Sequence, residues 1–226
     1  MDWRKIVVIV AGGSGKRMKT EKAKQFLSLH EKPVLMHTIQ RFYDYDDKIE
    51  IRLVLPENQV DAWRELCKQH NFSIEHRILP GGETRFHSVK NGIEEIADNA
   101  IVAIHDGVRP LVSISTISRC FQLAAEKGSA IPVLELTESV RQIRDESSVA
   151  KDRTLYRLVQ TPQIFRSDWL MKAYEEPFQD SFTDDASVIE NCGFPVHLAH
   201  GNEENIKITT PKDLKIAEAL FDLDLE

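Results

Sequence analysis

The sequence predicts a doubly wound, Rossmann-like α/β fold: a mostly parallel sheet, helices on both faces, and a β-arm that protrudes from it. Three observations predict it. The chain opens on a β-branched apolar run, residues 6–10, that feeds Ala11, Gly12 and Gly13, as a strand buried on both faces and ending in a glycine turn would. Apolar runs then alternate with amphipathic stretches of helical length, the mark of βαβ units and right-handed crossovers. The 226 residues suffice for one domain whose sheet is covered on both sides.

The elements follow in order. After Pro33, the apolar residues Val34, Leu35, Ile39 and Phe42 recur at helical spacing, with proline suited to a first turn. Strands are expected over 49–55, 74–79, 101–104 and 130–133, and helices over 57–70, 84–96 and 114–126. The alternation fails from 135 to 158, where polar residues with scattered Val and Ile stand in place of a helix. Such a stretch is a solvated loop or an arm that pairs with another subunit, and its length for a compact domain favours the arm. Helices are expected again over 167–174 and 184–192, with Ser167 and Thr183 as caps. A strand over 196–199 precedes a closing helix over 211–221 that turns Leu214, Ala217, Leu220 and Phe221 inward.

Composition narrows the function. Hydrophobic residues make up 42% and charged residues 29%, as in a soluble globular protein. With 29 Lys and Arg against 36 Asp and Glu, the net charge of -7 provides no global field for a nucleic acid. An anionic ligand must therefore meet a local cluster of cations. No apolar stretch reaches the length of a membrane span, and the run at 6–11 is too brief for a signal peptide. Cys67, Cys120 and Cys192 form no CxxC pair, which argues against a disulfide framework or zinc site and fits a reducing cytoplasm.

That cluster follows the first strand: Gly12, Gly13 and Gly15, then Lys16, Arg17, Lys22 and Lys24. Glycines let backbone N–H groups form an anion nest, and neighbouring cations neutralise a polyphosphate. A plain glycine turn beside solvated lysines is the bland alternative, which the coincidence of glycines and cations after a buried strand outweighs. Two common phosphate loops do not fit. A P-loop would need Gly where Val10 stands and Ser or Thr where Arg17 stands, and a dinucleotide fingerprint would need a small residue in place of Met18.

The string AGGSGKRM at 11–18, followed by Lys24, Gln25 and Phe26, resembles the nucleotidyltransferases that activate sugar phosphates. Within them it is similar to the 2-C-methyl-D-erythritol 4-phosphate cytidylyltransferases. GGETRFHSV at 81–89, HDGVRP at 105–110, TPQIF at 161–165, FTDDAS at 182–187 and NIKITTPKDL at 205–214 extend the resemblance over nearly the whole chain. It implies transfer of CMP from CTP to 2-C-methyl-D-erythritol 4-phosphate. Ribitol 5-phosphate is the alternative acceptor, and a nucleotide-binding module without turnover is the alternative class.

The resemblance also implies roles. Ala11, Gly12, Gly13 and Gly15 hold CTP, while Arg17 and Lys24 bind its phosphates and stabilise the transition state. Gly81, Gly82, Glu83 and Ser88 read the cytosine, with Glu83 standing where the family commonly has Asp; a turn at the glycines and a helix cap at Ser88 explain the same residues equally well. Asp106 and Gly107 lie at the expected end of a strand, where open α/β sheets place ligands. By resemblance Asp106 sits beside Mg²⁺ and the ribose-phosphate, and Arg109 holds the loop or the acceptor; an Asp106 to Arg109 ion pair that braces the turn is the plainer reading. Ser139, Arg153, Thr161 and Lys207 match the family's acceptor-phosphate site, and Lys207 is counted with the catalytic residues. The arm, about 135–158, implies a homodimer. His105 receives no catalytic role, because a deprotonated phosphate is already a nucleophile.

Overall fold

The computed structural model describes residues 3–12, 23–97 and 99–221. The first strand, β1 (Arg4–Val10), alternates its side chains between two cores: Val7 and Ile9 face one, Ile6 and Val8 the other. This is the double burial that its unbroken β-branched run requires. A short 3-10 turn over Lys24–Phe26 leads into a small hairpin of β2 (Ser28–Leu29) and β3 (Lys32–Pro33). Pro33 is the N-cap of α1 (Val34–Tyr45), one residue before the first turn.

The winding continues through β4 (Glu50–Leu55), α2 (Glu57–Gln69), β5 (Arg77–Pro80), α3 (Arg85–Ile93), β6 (Ala100–Asp106), α4 (Ile114–Lys127) and β7 (Ser129–Glu135). Strand β5 begins later than the expected 74–79. Residues 74–76 turn instead toward α2, where Trp63 Nε1 donates to His76 Nε2 at 2.9 Å and the Ile74 carbonyl meets His76 Nδ1. Within the stretch expected to be an arm, β8 (Val140–Arg144) and β9 (Ser147–Lys151) form a hairpin that, among the described residues, pairs with no other strand.

The chain returns by β10 (Arg157–Val159) and β11 (Gln163–Arg166), two short strands that the apolar pattern does not reveal. Then come α5 (Ser167–Ala173), α6 (Asp185–Asn191), β12 (Leu198–His200) and α7 (Pro211–Phe221). The sheet order is β10-β7-β11-β6-β1-β4-β5, with β12 beside β7. Strands β6, β1, β4 and β5 are parallel, and β11 enters antiparallel between β6 and β7. Helix α7 packs on a third, smaller core through buried Ala217, with Leu214, Leu220 and Phe221 partly buried.

Neither expected cap serves. The Ser167 hydroxyl accepts the Ala100 N–H across to β6, so α5 starts without a side-chain cap. At α6 the cap is Asp184 and not Thr183: its carboxylate accepts the Ser187 N–H at 2.9 Å and the Ser187 hydroxyl closes a capping box.

Candidate active site

Because β1, β4, β5 and β6 are parallel, their carboxyl ends open on one side of the sheet, and a pocket forms there. Ala11 and Gly12 leave β1, Gly82 and Glu83 follow β5, Ser88 stands on α3, and Asp106 ends β6. Lys24 enters from the 3-10 turn and Lys207 from the segment before α7. Each of these eight sequence-predicted residues lines the same pocket. Arg17, Gly13 and Gly15 lie outside the described residues.

The glycine turns are held by backbone bonds. Gly81 N–H donates to the Leu55 carbonyl at 2.7 Å, so the β5 turn packs against the end of β4. At Gly82 an added Cβ would stand 2.4 Å from the His87 Cβ, which only glycine avoids. Gly107 donates to the Val10 carbonyl and lies under Ala11, its own Cβ position 2.8 Å from that of Ala11. It packs behind the end of β1 and is not among the residues that line the pocket, so its expected contact with CTP is not on this wall.

Ser88 does not cap α3; Thr84 does. The Ser88 hydroxyl accepts the Gly82 N–H at 3.0 Å and donates to the Thr84 carbonyl at 2.9 Å. It therefore shapes the 82–84 turn while facing the pocket.

Asp106 is the electrostatic centre. Lys207 Nζ lies 3.0 Å and Arg109 Nε 3.3 Å from its Oδ2, while Arg85 Nε stands 3.5 Å from Oδ1. Burial alone would raise this carboxyl, but Arg85, Lys207 and Arg109 together hold it well below the usual carboxylate range. It is an anion at any working pH. Arg109 also donates to the Asn205 carbonyl at 2.6 Å and Ile208 N–H to the Val108 carbonyl, so the 205–208 segment is latched to the 106–109 turn. The loop-holding role of Arg109 is thus the one its geometry serves.

Thr161 lies beneath this turn, not on the wall. Its hydroxyl accepts the Asp106 N–H at 3.1 Å and meets His105 Nδ1 at 3.1 Å, while Asn205 donates to its carbonyl. His105 is fully buried, its other nitrogen 3.1 Å from the Arg109 carbonyl, and burial lowers its pKa to about 4. Its two ring nitrogens thus brace the 105–109 turn against Thr161. Ser139 and Arg153 are exposed on the arm, where the Arg153 guanidinium donates to the Thr137 carbonyl; neither is among the residues lining the pocket.

The sequence reading missed four side chains: Arg85, Asp185, Tyr174 and Gln25. Arg85 lines the pocket and forms a forked pair with buried Asp185, 2.8 and 2.7 Å. Tyr174 O–H donates to Asp185 at 2.6 Å. Gln25, fully buried, donates to the Ala11 carbonyl at 2.7 Å and ties the turn that carries Lys24 to the end of β1. Arg85, Asp185 and Gln25 stand inside motifs that carry the family resemblance, which was the available signal, whereas Tyr174 stands outside them.

A glycine turn, fixed cations and one anionic carboxylate at the carboxyl ends of parallel strands define a doubly wound α/β protein that binds a small polyanion. Comparison with known proteins is more specific. Residues 5–222 match the family described as IspD, 2-C-methyl-D-erythritol 4-phosphate cytidylyltransferase. A protein of that name from Bacteroides thetaiotaomicron is 53% identical over 215 residues, covering 95% of this chain and 98% of the relative. One from Porphyromonas gingivalis is 50% identical over 222 residues, covering 98% and 99%. Among solved structures, the cytidylyltransferase of that name from Francisella tularensis aligns with a TM-score of 0.79 at 29% identity, over 96% of this chain and 99% of its own. The chain belongs to the 2-C-methyl-D-erythritol 4-phosphate cytidylyltransferase family.

Proposed function

We propose that this chain is a CTP-dependent cytidylyltransferase that joins CMP to 2-C-methyl-D-erythritol 4-phosphate, releasing pyrophosphate and giving 4-diphosphocytidyl-2-C-methyl-D-erythritol. The observation that carries the reading is the meeting, in one pocket, of Ala11 and Gly12 at the end of β1, Lys24, the 82–88 turn, Asp106 and Lys207. The acceptor's phosphate oxygen attacks the α-phosphorus of CTP, a new P–O bond forms in line, and the bond to pyrophosphate breaks. Such a transfer asks the protein for alignment and for cations at the oxygens where charge develops.

Lys24, with Arg17 from the glycine loop, supplies those cations. Gly12, with Ala11, Gly13 and Gly15, offers backbone groups to the triphosphate. Gly82, Glu83 and Ser88 form the wall against which the cytosine lies, and the hydroxyl that braces the turn fixes the shape the base meets. Lys207, half-buried and paired with Asp106, is the cation on the acceptor side, with Thr161 supporting the turn beneath it. Ser139 and Arg153 would join the acceptor phosphate from the arm of a second subunit, since they are not on this chain's own pocket wall.

A divalent cation, Mg²⁺, fits the donor set. Among the described residues no cluster of three or more His, Cys, Asp or Glu could cage a metal, yet Asp106 is an anionic carboxylate in the pocket and the Glu83 side chain lines the same pocket. Mg²⁺ is commonly held by one or two carboxylates together with substrate phosphates. When bound it would supply charge neutralisation to the triphosphate and its leaving group.

We place the activity in isoprenoid precursor synthesis in the cytoplasm. Among the described residues no helix is long and apolar enough to cross a membrane. The test is pyrophosphate release with 2-C-methyl-D-erythritol 4-phosphate across CTP, ATP, GTP and UTP. Release with CTP above the others supports the reading, and binding of CTP without release would leave only a nucleotide-binding module.

A further inference from the structure

Four elements converge behind the pocket wall on one chain of contacts. Tyr174, at the C-cap of α5, donates to Asp185 Oδ1 at 2.6 Å; Asp185, in the first turn of α6, receives both ends of the Arg85 fork at 2.8 and 2.7 Å. Arg85, at the start of α3, turns its Nε toward Asp106 Oδ1 at 3.5 Å. Asp185 and Tyr174 are buried, and Asp185 is set by the capping box of α6 and by Gln163, which accepts the Ala186 N–H and donates to Asp184. Stacking on Phe86 at 4.7 Å fixes the Tyr174 ring.

The asymmetry of these distances is informative. An arginine fork prefers two parallel bonds to one carboxylate. Two carboxylates compete for Arg85, and Asp185 takes both N–H arms while Asp106 gets only a long contact. Asp106 Oδ2 is engaged by Lys207 and Arg109, whereas among the described residues the cation nearest Oδ1 is the loosely placed Arg85 Nε. Oδ1 is thus the oxygen of Asp106 most open to a divalent cation.

We propose that Asp185, steadied by Tyr174, is a positioning residue for metal binding: by holding the Arg85 fork it keeps that guanidinium from closing on Asp106 and leaves Oδ1 for the divalent ion that accompanies CTP. The proposal rests on the CTP and Mg²⁺ reading above. Loss of the Asp185 charge releases Arg85 to form its own forked pair with Asp106, and the guanidinium then competes with the metal. Neither Asp185 nor Tyr174 touches substrate; both act through Arg85.

The experiment is calorimetric titration of the full-length protein with CTP, once with Mg²⁺ and once with EDTA. For the native protein CTP binds more tightly with Mg²⁺. In Asp185→Asn the ratio of the two affinities falls about tenfold or more, chiefly through the Mg²⁺ titration, and the Mg²⁺ concentration for half-maximal turnover rises. Because an unpaired buried arginine could unfold the protein, the double variant Arg85→Gln/Asp185→Asn, which removes both charges, is measured alongside. Its Mg²⁺ ratio returns toward the native value, since no guanidinium remains to cover Asp106.

An unchanged ratio in folded Asp185→Asn overturns the proposal, as does a double variant with a ratio about tenfold or more below native. If the native protein binds CTP but gains nothing from Mg²⁺, the metal reading itself fails. If it binds no CTP, the proposed function fails first.

Discussion

Gln25, the neighbour of Lys24, is buried and bonded to the Ala11 carbonyl, and it pins the turn that carries Lys24 to the end of β1. Lys24→Ala should therefore lower kcat by about 10²-fold or more, the scale expected of a lost transition-state charge. Steady-state pyrophosphate release together with an unfolding curve checks this, and the unfolding midpoint should not move. His105 yields a pH prediction. Its pKa falls from 6.5 to about 4 on burial among Phe42, Thr161 and the Arg109 carbonyl, with Asp106, Arg109 and Arg85 near it. A lowered histidine favours the folded state fully above 6.5, and that contribution, at most about 3 kcal/mol, drains away as pH falls toward 4. Urea midpoints at pH 7.5 and pH 5 should differ accordingly, and His105→Gln should show a smaller difference. The residues with assigned roles were legible because their motifs bracket strand ends. The pairing of Asp185, which stands in the FTDDAS motif, with Arg85 and Tyr174 was not, because contacts between residues 85, 174 and 185 leave no trace in local spacing.

Helices and parallel strands were the legible elements, since amphipathic period and continuous apolar runs are local signals. The strands of the return path were not. β11 is four residues with polar ends, and its burial comes from insertion between β6 and β7, which no local pattern announces. Cap positions failed for a related reason: Ser167 serves Ala100 on β6, so a tertiary bond overrode a local one. The true cap of α6 can be tested directly. Asp184→Ala removes both the cap and the bond from Gln163, and should cost about 1 to 2 kcal/mol in urea unfolding. Thr183→Ala should cost little.

At the scale of the whole molecule the arm carries the prediction. Ile143 is 74% and Leu155 79% exposed, and Leu158 and Val149 are also exposed, an unusual concentration of apolar side chains on 135–159. A second copy that covered them would account for the exposure and for the position of Ser139 and Arg153. Light scattering should give twice the chain mass, and Ile143→Asp/Leu155→Asp should give the mass of one chain with weakened use of the acceptor. A native protein that is monomeric at micromolar concentration would remove the arm from the site.

The central claim is the transfer itself, and the acceptor decides it. Pyrophosphate release with CTP and Mg²⁺ should be measured for 2-C-methyl-D-erythritol 4-phosphate and for D-ribitol 5-phosphate under identical conditions. The account predicts release with the first at a kcat/KM far above that with the second. Preference for ribitol 5-phosphate, or release with neither, would contradict it.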